Sequence, residues 1–232
     1  MENAENKSII STGSSNLAKT EKLLSITQKI LREIKPQYES VKIGNQEWMT
    51  RNLDVDRFRN GDLIPHVESD DEWEEAGEKN QPAWCYYDND PENGKKYGKL
   101  YNWYAVNDPR GLAPEGWHVP TDEEWTILIN FLGGKVVSGH KMKSVNDWND
   151  WEDNYGEIKN GNGDNSSGFN ALPGGCRHYD GFNGIGHGTF FWSATEDDDY
   201  FACNRYLINY NGNVSMNSYE KLDVFSVRCL RD

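Results

Sequence analysis

The sequence predicts an α+β domain built on a few large aromatic side chains, and three observations point there. One well-capped amphipathic helix stands in mid-chain, within residues 111–134. Short apolar and aromatic segments, separated by Gly, Asn and Asp turns, flank it on both sides. Hydrophobic residues are only 36% of the 232, yet there are 9 Trp, 12 Tyr and 8 Phe. Each such ring buries about 150–250 Å², so few are needed to fill a core, and the 22 Gly point to a large loop content.

In chain order, residues 1–15 are polar and predict a disordered or loosely held tail. Residues 16–36 predict a helix in which Leu17, Leu24 and Leu31 repeat every seven positions, with Leu23, Ile26, Ile30 and Ile34 widening the stripe. Ser14 or Ser15 can cap it and Pro36 stops it. An isolated helix of this length is marginal in water. The stripe is therefore expected to dock on a larger partner or to self-associate, with packing on its own domain as the alternative. Residues 41–56 read as a hairpin turning at Gly44-Asn45, and residues 58–64 hold an Asn60-Gly61 turn. The acidic segment 68–80 is a surface loop or short helix, 83–87 a short strand or turn, 88–98 a loop, and 100–106 a short helix or buried strand.

The central helix opens with Thr121 and Glu124, spaced as a capping box. Asp122 and Glu123 favour the positive end of its dipole. Trp125, Leu128, Ile129 and Leu132 follow at i, i+3, i+4 and i+7, one apolar face, and Gly133-Gly134 can stop it. Burying that face contributes several kcal/mol, at roughly 1.5–3 per side chain. Residues 144–167 then form a long Asn/Gly/Asp-rich excursion. Aromatic segments follow at 169–172, 190–194 and 201–208, a hairpin turn at 211–213, and a closing strand at 224–230.

GWHVPTDEEW (116–125) looks like a G-[WY]-[RH]-[LV]-P-[ST]-x-x-E-W element of the C-type-lectin-like superfamily that includes formylglycine-generating enzyme and sulfatase-modifying-factor proteins. The segments 41–55, 82–106, 168–177, 190–196 and 225–232 resemble, in that order, the Fibrobacter succinogenes major paralogous domain. The likeness covers about residues 40–232. It implies a C-type-lectin-like fold: two helices packed on short twisted antiparallel sheets, long loops, and a last strand paired with the first. The family is defined by sequence, so the resemblance implies a fold more than a mechanism.

The formal net charge of −14 argues against nucleic acid and anionic membranes, both of which bind through Lys and Arg. Seven carboxylates fall in residues 68–78 and four in 196–199. Such runs serve solubility or attract a basic partner. No apolar run approaches the length of a membrane span, and the N-terminal residues lack the basic and apolar regions of a signal peptide. A cytoplasmic location is the expectation. Cys85, Cys176, Cys203 and Cys229 include no C-x-x-C and read as buried free thiols.

Calcium is weighed because lectin-like folds suggest it, and no cofactor is expected. Residues 88–94 carry oxygen ligands at alternate positions, but an EF-hand loop would need Gly at Asn93 and Glu at Lys99. Trp148-Asn149-Asp150 matches a tripeptide of sugar-binding lectins, without its partner motif. An oxidase of the formylglycine class would require a cysteine pair, for which Cys203 and Cys229 are the candidates. His66, His118, His140, His178 and His187 show no paired motif, and His118 reads as structural.

Binding remains, without catalysis. Trp148, Asn149, Trp151, Asp153, Asn154 and Tyr155 interleave aromatic, amide and acidic groups. So do His178, Tyr179, Phe182, Asn183 and His187, joined by Asp198, Tyr200, Tyr206, Asn209, Tyr210 and Asn211. Aromatic area with adaptable amides is the composition of a paratope; solvated turns are the plain alternative. The expected ligand is a protein or glycan. Residues 178–219 also look like the stretch that diversity-generating retroelements vary in lectin-like folds. An adhesion subunit attached through residues 16–36 is the alternative role.

Overall fold

The computed structural model describes residues 19–20, 22–24 and 38–232. The chain divides into two units, Met1–Tyr38 and Glu39–Asp232. In the first, Lys19, Thr20, Lys22, Leu23 and Leu24 are helical and exposed. The rest of the expected stripe, Leu17, Ile26, Ile30, Leu31 and Ile34, lies outside the described residues, as does the tail 1–15.

The second unit is α+β. It opens with the expected hairpin, β1 (Ser40–Ile43) and β2 (Gln46–Met49), turning at Gly44 with φ +62°. The acidic segment is helix α1 (Asp70–Glu78). Ser69 and Glu72 form its capping box, and Trp73 and Ala76 face inward. Strand β3 (Trp84–Cys85) follows. Residues 88–98, expected as a loop, instead form a 3-10 turn (Tyr87–Asn89) and helix α2 (Pro91–Tyr97). The reason is local: Asp90 caps α2 by accepting the Glu92 N–H, and Pro91 takes the first helical position, where its missing N–H costs nothing. The 100–106 segment is both expected things in turn, β4 (Leu100–Asn102) and α3 (Trp103–Val106).

After β5 (Trp117–His118) comes the central helix α4 (Asp122–Phe131), with its capping box formed on both sides. Gly133 and Gly134, at φ +104° and +91°, stop it. Helix α5 (Lys135–Met142) follows, and the excursion carries a small hairpin of β6 (Trp151–Glu152) and β7 (Ile158–Lys159). Five α-helices among the described residues of this unit exceed the two expected.

The remaining strands are β8 (Gly174–His178), β9 (Gly181–Ile185), β10 (Gly188–Glu196), β11 (Phe201–Ile208), β12 (Ser215–Glu220), β13 (Val224–Ser226) and β14 (Leu230–Arg231). The large sheet runs β12-β11-β10-β8-β13-β4-β3, with β9 on β8; the small one runs β1-β2-β14-β5. The expected single strand 224–230 is therefore two. Its middle crosses between sheets, where the Val227 and Cys229 carbonyls accept the Leu53 and Met49 N–H groups. Its end pairs Leu230 with Trp48 of β2, so closure is on the second strand of the first hairpin.

Helix α4 packs on β10 and β11. Its Trp125 lies 4.7 Å from the Trp48 ring and 5.6 Å from Phe191, and Phe169 completes the cluster. A second core gathers Trp73, Cys85, Tyr87, Leu100 and Val224 beneath α1.

Candidate functional site

A cleft of about 760 Å³ opens between α1 and the ends of β8, β11 and β12. Trp73 and Val224 are its buried apolar surfaces, and Tyr104, Phe201 and Leu222 flank them half-buried. Tyr179 and Tyr200 line it too, 83% and 75% exposed. A two-residue turn projects Tyr179 beyond the end of β8. Tyr200 stands at the start of β11 because the Asp198 carboxylate accepts its N–H and that of Phe201.

The cations of the cleft are already partnered. Arg177 lies 5.1 Å over Trp73 and 4.9 Å over Phe182, donating to Asp70 Oδ1 at 2.5 Å and the Glu68 carbonyl at 3.0 Å. Buried Lys221 donates to Glu196 at 2.5 Å and to the Asp199 carbonyl at 2.8 Å. Asp71, Glu74, Glu78 and Glu220 also line the cleft, exposed, and none is ion-paired among the described residues. The unpaired charge facing the opening is negative.

His178 borders both this cleft and a smaller cavity of about 310 Å³ lined by Cys176, Asn183, Phe190 and Ile208. Its Nδ1 is 2.8 Å from Asp223 Oδ1 and its Nε2 is 3.3 Å from Cys176 Sγ. The hydrogen bond to Asp223, then that to Cys176, pushes the imidazole up to about 10, so the ring is an imidazolium at neutral pH. The sequence showed no histidine pairing because Asp223 comes from a loop 45 residues away. The Cys176-Arg177-His178 spacing was a usable signal: on a strand, alternate residues share a face.

The predicted binding residues do not form one surface. His178, Tyr179 and Tyr200 meet at the cleft, and Asn183, His187, Asn209 and Tyr210 join His178 at the smaller cavity. Tyr206 lines a third hollow of about 540 Å³ with Arg205 and Met216. Asn154 and the 91%-exposed Tyr155 sit at the tip of the β6–β7 hairpin, where Asp153 accepts the N–H groups of Tyr155 and Glu157. Trp151 packs edge-on to Tyr210.

Two assignments need correction, Trp148 and Asn209 being buried, while Phe182 and Asn211 are half-buried. Trp148 is core, its indole N–H shared between Ser144 Oγ and the Ala171 carbonyl, each at 3.1 Å. Phe182 packs against Tyr87 in the second core. Asn209 is buried and donates to the Asn149 carbonyl, while the Asn149 amide meets His187 Nε2 at 3.0 Å. Asn211 is turned to the loop itself, accepting the Asn213 N–H. For Trp148, Asn209 and Asn211 the cause is Lys143. Its buried ammonium gathers the carbonyls of Gly161, Ile208, Asn209 and Asn211, folding the excursion onto the sheet, and burial pulls its pKa down to about 8.

Among the described residues no group of three His, Cys, Asp or Glu is placed to hold a metal ion. Asp90, in the segment weighed for calcium, caps α2 instead. Of the two cysteines weighed for oxidase chemistry, Cys229 is fully buried and pushed up to about 12, and burial also raises Cys203. His118 bridges Asp232 and Glu124, at 2.8 and 2.9 Å, tying the capping box to the C-terminal residue. No helix among the described residues is long and apolar enough to cross a membrane.

Searches of curated proteins and of solved structures return no match. The sequence does match the family described as Fibrobacter succinogenes major domain over residues 41–231, nearly the whole second unit. The chain belongs to the Fibrobacter succinogenes major domain family.

Proposed function

We propose that the chain is a non-catalytic recognition module that seats a segment of another protein in the 760 Å³ cleft. The observation that carries this reading is the imbalance at that opening. Arg177 and Lys221 are neutralised from within, while four carboxylates and two exposed tyrosines are left to meet a ligand. Rigid tyrosines give contact area at low entropic cost. A carboxylate rim steers Lys- and Arg-bearing segments and disfavours anionic ones. The free thiols suit a reducing compartment, the cytoplasm.

The test is calorimetric titration of the full chain with lysine- and arginine-containing peptides and with neutral oligosaccharides, at low and high salt. Basic peptides are expected to bind, more weakly at high salt. Replacing Tyr179 and Tyr200 by Ala is expected to weaken binding tenfold or more. Salt-independent binding of a neutral oligosaccharide would transfer the cleft to a glycan. Peptide binding untouched by the tyrosine changes would remove it from the cleft altogether.

A second reading, an assembly subunit attached through residues 16–36, is favoured by Leu23 and Leu24, exposed on a helix at 67% and 59%. It expects the full chain to be oligomeric and a chain lacking residues 1–36 to be monomeric by light scattering. Oxidase chemistry at Cys203 and Cys229 is the weaker enzymatic reading, because both thiols are pushed away from the reactive thiolate.

A further inference from the structure

We propose that Cys176, His178 and Asp223 form a thiol–imidazole–carboxylate relay that makes Cys176 a site of oxidation by small hydroperoxides. Strand β8 sets the first two groups on one face, and the loop between β12 and β13 brings Asp223 behind the ring. The three lie in line: sulfur 3.3 Å from Nε2, carboxylate oxygen 2.8 Å from Nδ1. A sulfur touching an imidazolium that a carboxylate holds in place is the arrangement that favours the thiolate.

The linear order also decides against a metal. The two ring nitrogens point in opposite directions, so Cys176 and Asp223 cannot share one ion through His178. Asp223 is buried and its carboxylate accepts a hydrogen bond from Nδ1–H, which fixes the ring and leaves Nε2 for the sulfur. Rings of Tyr219 and Phe225, 5.5 and 5.7 Å from the imidazole, hold its plane.

Access selects the substrate class. Cys176 lines the 310 Å³ cavity and not the larger cleft, and only 1% of its surface is open. A peptide cannot reach that sulfur, whereas hydrogen peroxide or a short organic hydroperoxide can. The Cys176 thiol first gives its proton to solvent, and in the reaction the thiolate attacks one peroxide oxygen, the S–O bond forming as the O–O bond breaks. The bonding pair leaves on the distal oxygen, which takes the Nε2 proton of His178 and departs as water or an alcohol. Cysteine is oxidised to sulfenic acid and the hydroperoxide is reduced. His178 recovers a proton from solvent. The raised imidazole keeps that proton available across the neutral range. His178 also walls the binding cleft, so oxidation at Cys176 alters a group that the ligand would meet.

The experiment exposes the folded full-length chain to hydrogen peroxide, traps sulfenic acid with dimedone and locates it by peptide mass spectrometry. Cys203 is the internal reference, being the more open thiol. Cys176 is expected to be labelled at least tenfold faster than Cys203. Cys176→Ser should remove that label, and His178→Gln should slow it tenfold or more. In the unaltered protein the rate should fall as pH rises through about 10, and Asp223→Asn should move that fall to lower pH. A merely structural role for the histidine would not move it. Labelling of Cys176 no faster than that of Cys203, or a profile unchanged in Asp223→Asn, overturns the proposal.

Discussion

Arg228 and Arg177 are both buried, at 1% and 2% exposure, yet they are held in opposite ways. Arg228 lies where the chain crosses between the two sheets, 4.4 Å over the Phe169 ring. It donates to Asn52 Oδ1 through two nitrogens, at 3.1 and 2.7 Å, and to the carbonyls of Met49 and Phe169. No carboxylate pairs with it among the described residues, and burial pulls its guanidinium below the ordinary value. Arg177 instead reaches outward to Asp70, whose side chain is 82% exposed. One region closes its guanidinium against backbone carbonyls and the Asn52 amide oxygen. The other leaves its partners where water or a ligand can compete for them. Stability is expected to concentrate around the first, and the recognition proposed above belongs to the second.

The sharpest way to break this comparison is to remove each arginine. Arg228→Met leaves two backbone carbonyls and an amide oxygen without a donor in the interior. It is expected to cost about 3–5 kcal/mol in urea unfolding. Arg177→Met keeps an apolar stem between Trp73 and Phe182 and frees an exposed carboxylate to water, so about 1–2 kcal/mol is expected. Equal losses would mean that both regions are closed in the same sense.

An effect comparable to that of Arg177→Met comes from His178, at the border of the cleft. Its folded value of about 10 lies above the ordinary 6.5. The stabilisation is therefore fully present below pH 6.5 and is lost as pH rises through about 10. Partial exposure discounts it to the order of 2 kcal/mol. His178→Gln should differ most from the parent at pH 6 and converge with it by pH 10–11, by urea unfolding at each pH. A difference constant with pH would show that the imidazolium contributes packing and not charge.

What the sequence made legible follows the range of the interactions. The box of Thr121 and Glu124, the i, i+3, i+4, i+7 face of α4 and the stop at Gly133-Gly134 are local, and the structure shows all three. So is the turn at Gly44. The capped helix at Pro91 was equally local, but its Asn and Gly content concealed the Asp90-Pro91 start. The break within residues 224–230 could not be read, since alternation runs unbroken there while the neighbours change from one sheet to the other. Trp148 and Phe182 carry the composition of a binding loop. Only a cage of carbonyls around Lys143, up to 68 residues away, shows that Trp148 is interior, and only a cation between Trp73 and Phe182 shows that Phe182 packs half-buried on the second core. The cleft is equally non-local, joining α1 to strand ends more than 100 residues on.

The smallest expected effect is also the closest test of the distinction between the arginines. Asp70→Asn removes the only carboxylate that pairs with Arg177 among the described residues but keeps the side-chain shape and one acceptor oxygen. Were Arg177 closed in the manner of Arg228, losing that charge would strand a buried cation and cost 3 kcal/mol or more, by analogy with broken buried pairs. Because the Asp70 side chain is mostly in solvent, water and the Glu68 carbonyl can take over, and a loss of no more than about 1 kcal/mol is expected. The same substitution releases Arg177 from internal neutralisation and makes the cleft less acidic. Peptide titration should then show weaker binding of basic segments although stability has barely changed. A large loss of stability with unaltered binding would invert the assignment, making the α1 side a finished piece of core and leaving recognition to the β6–β7 tip.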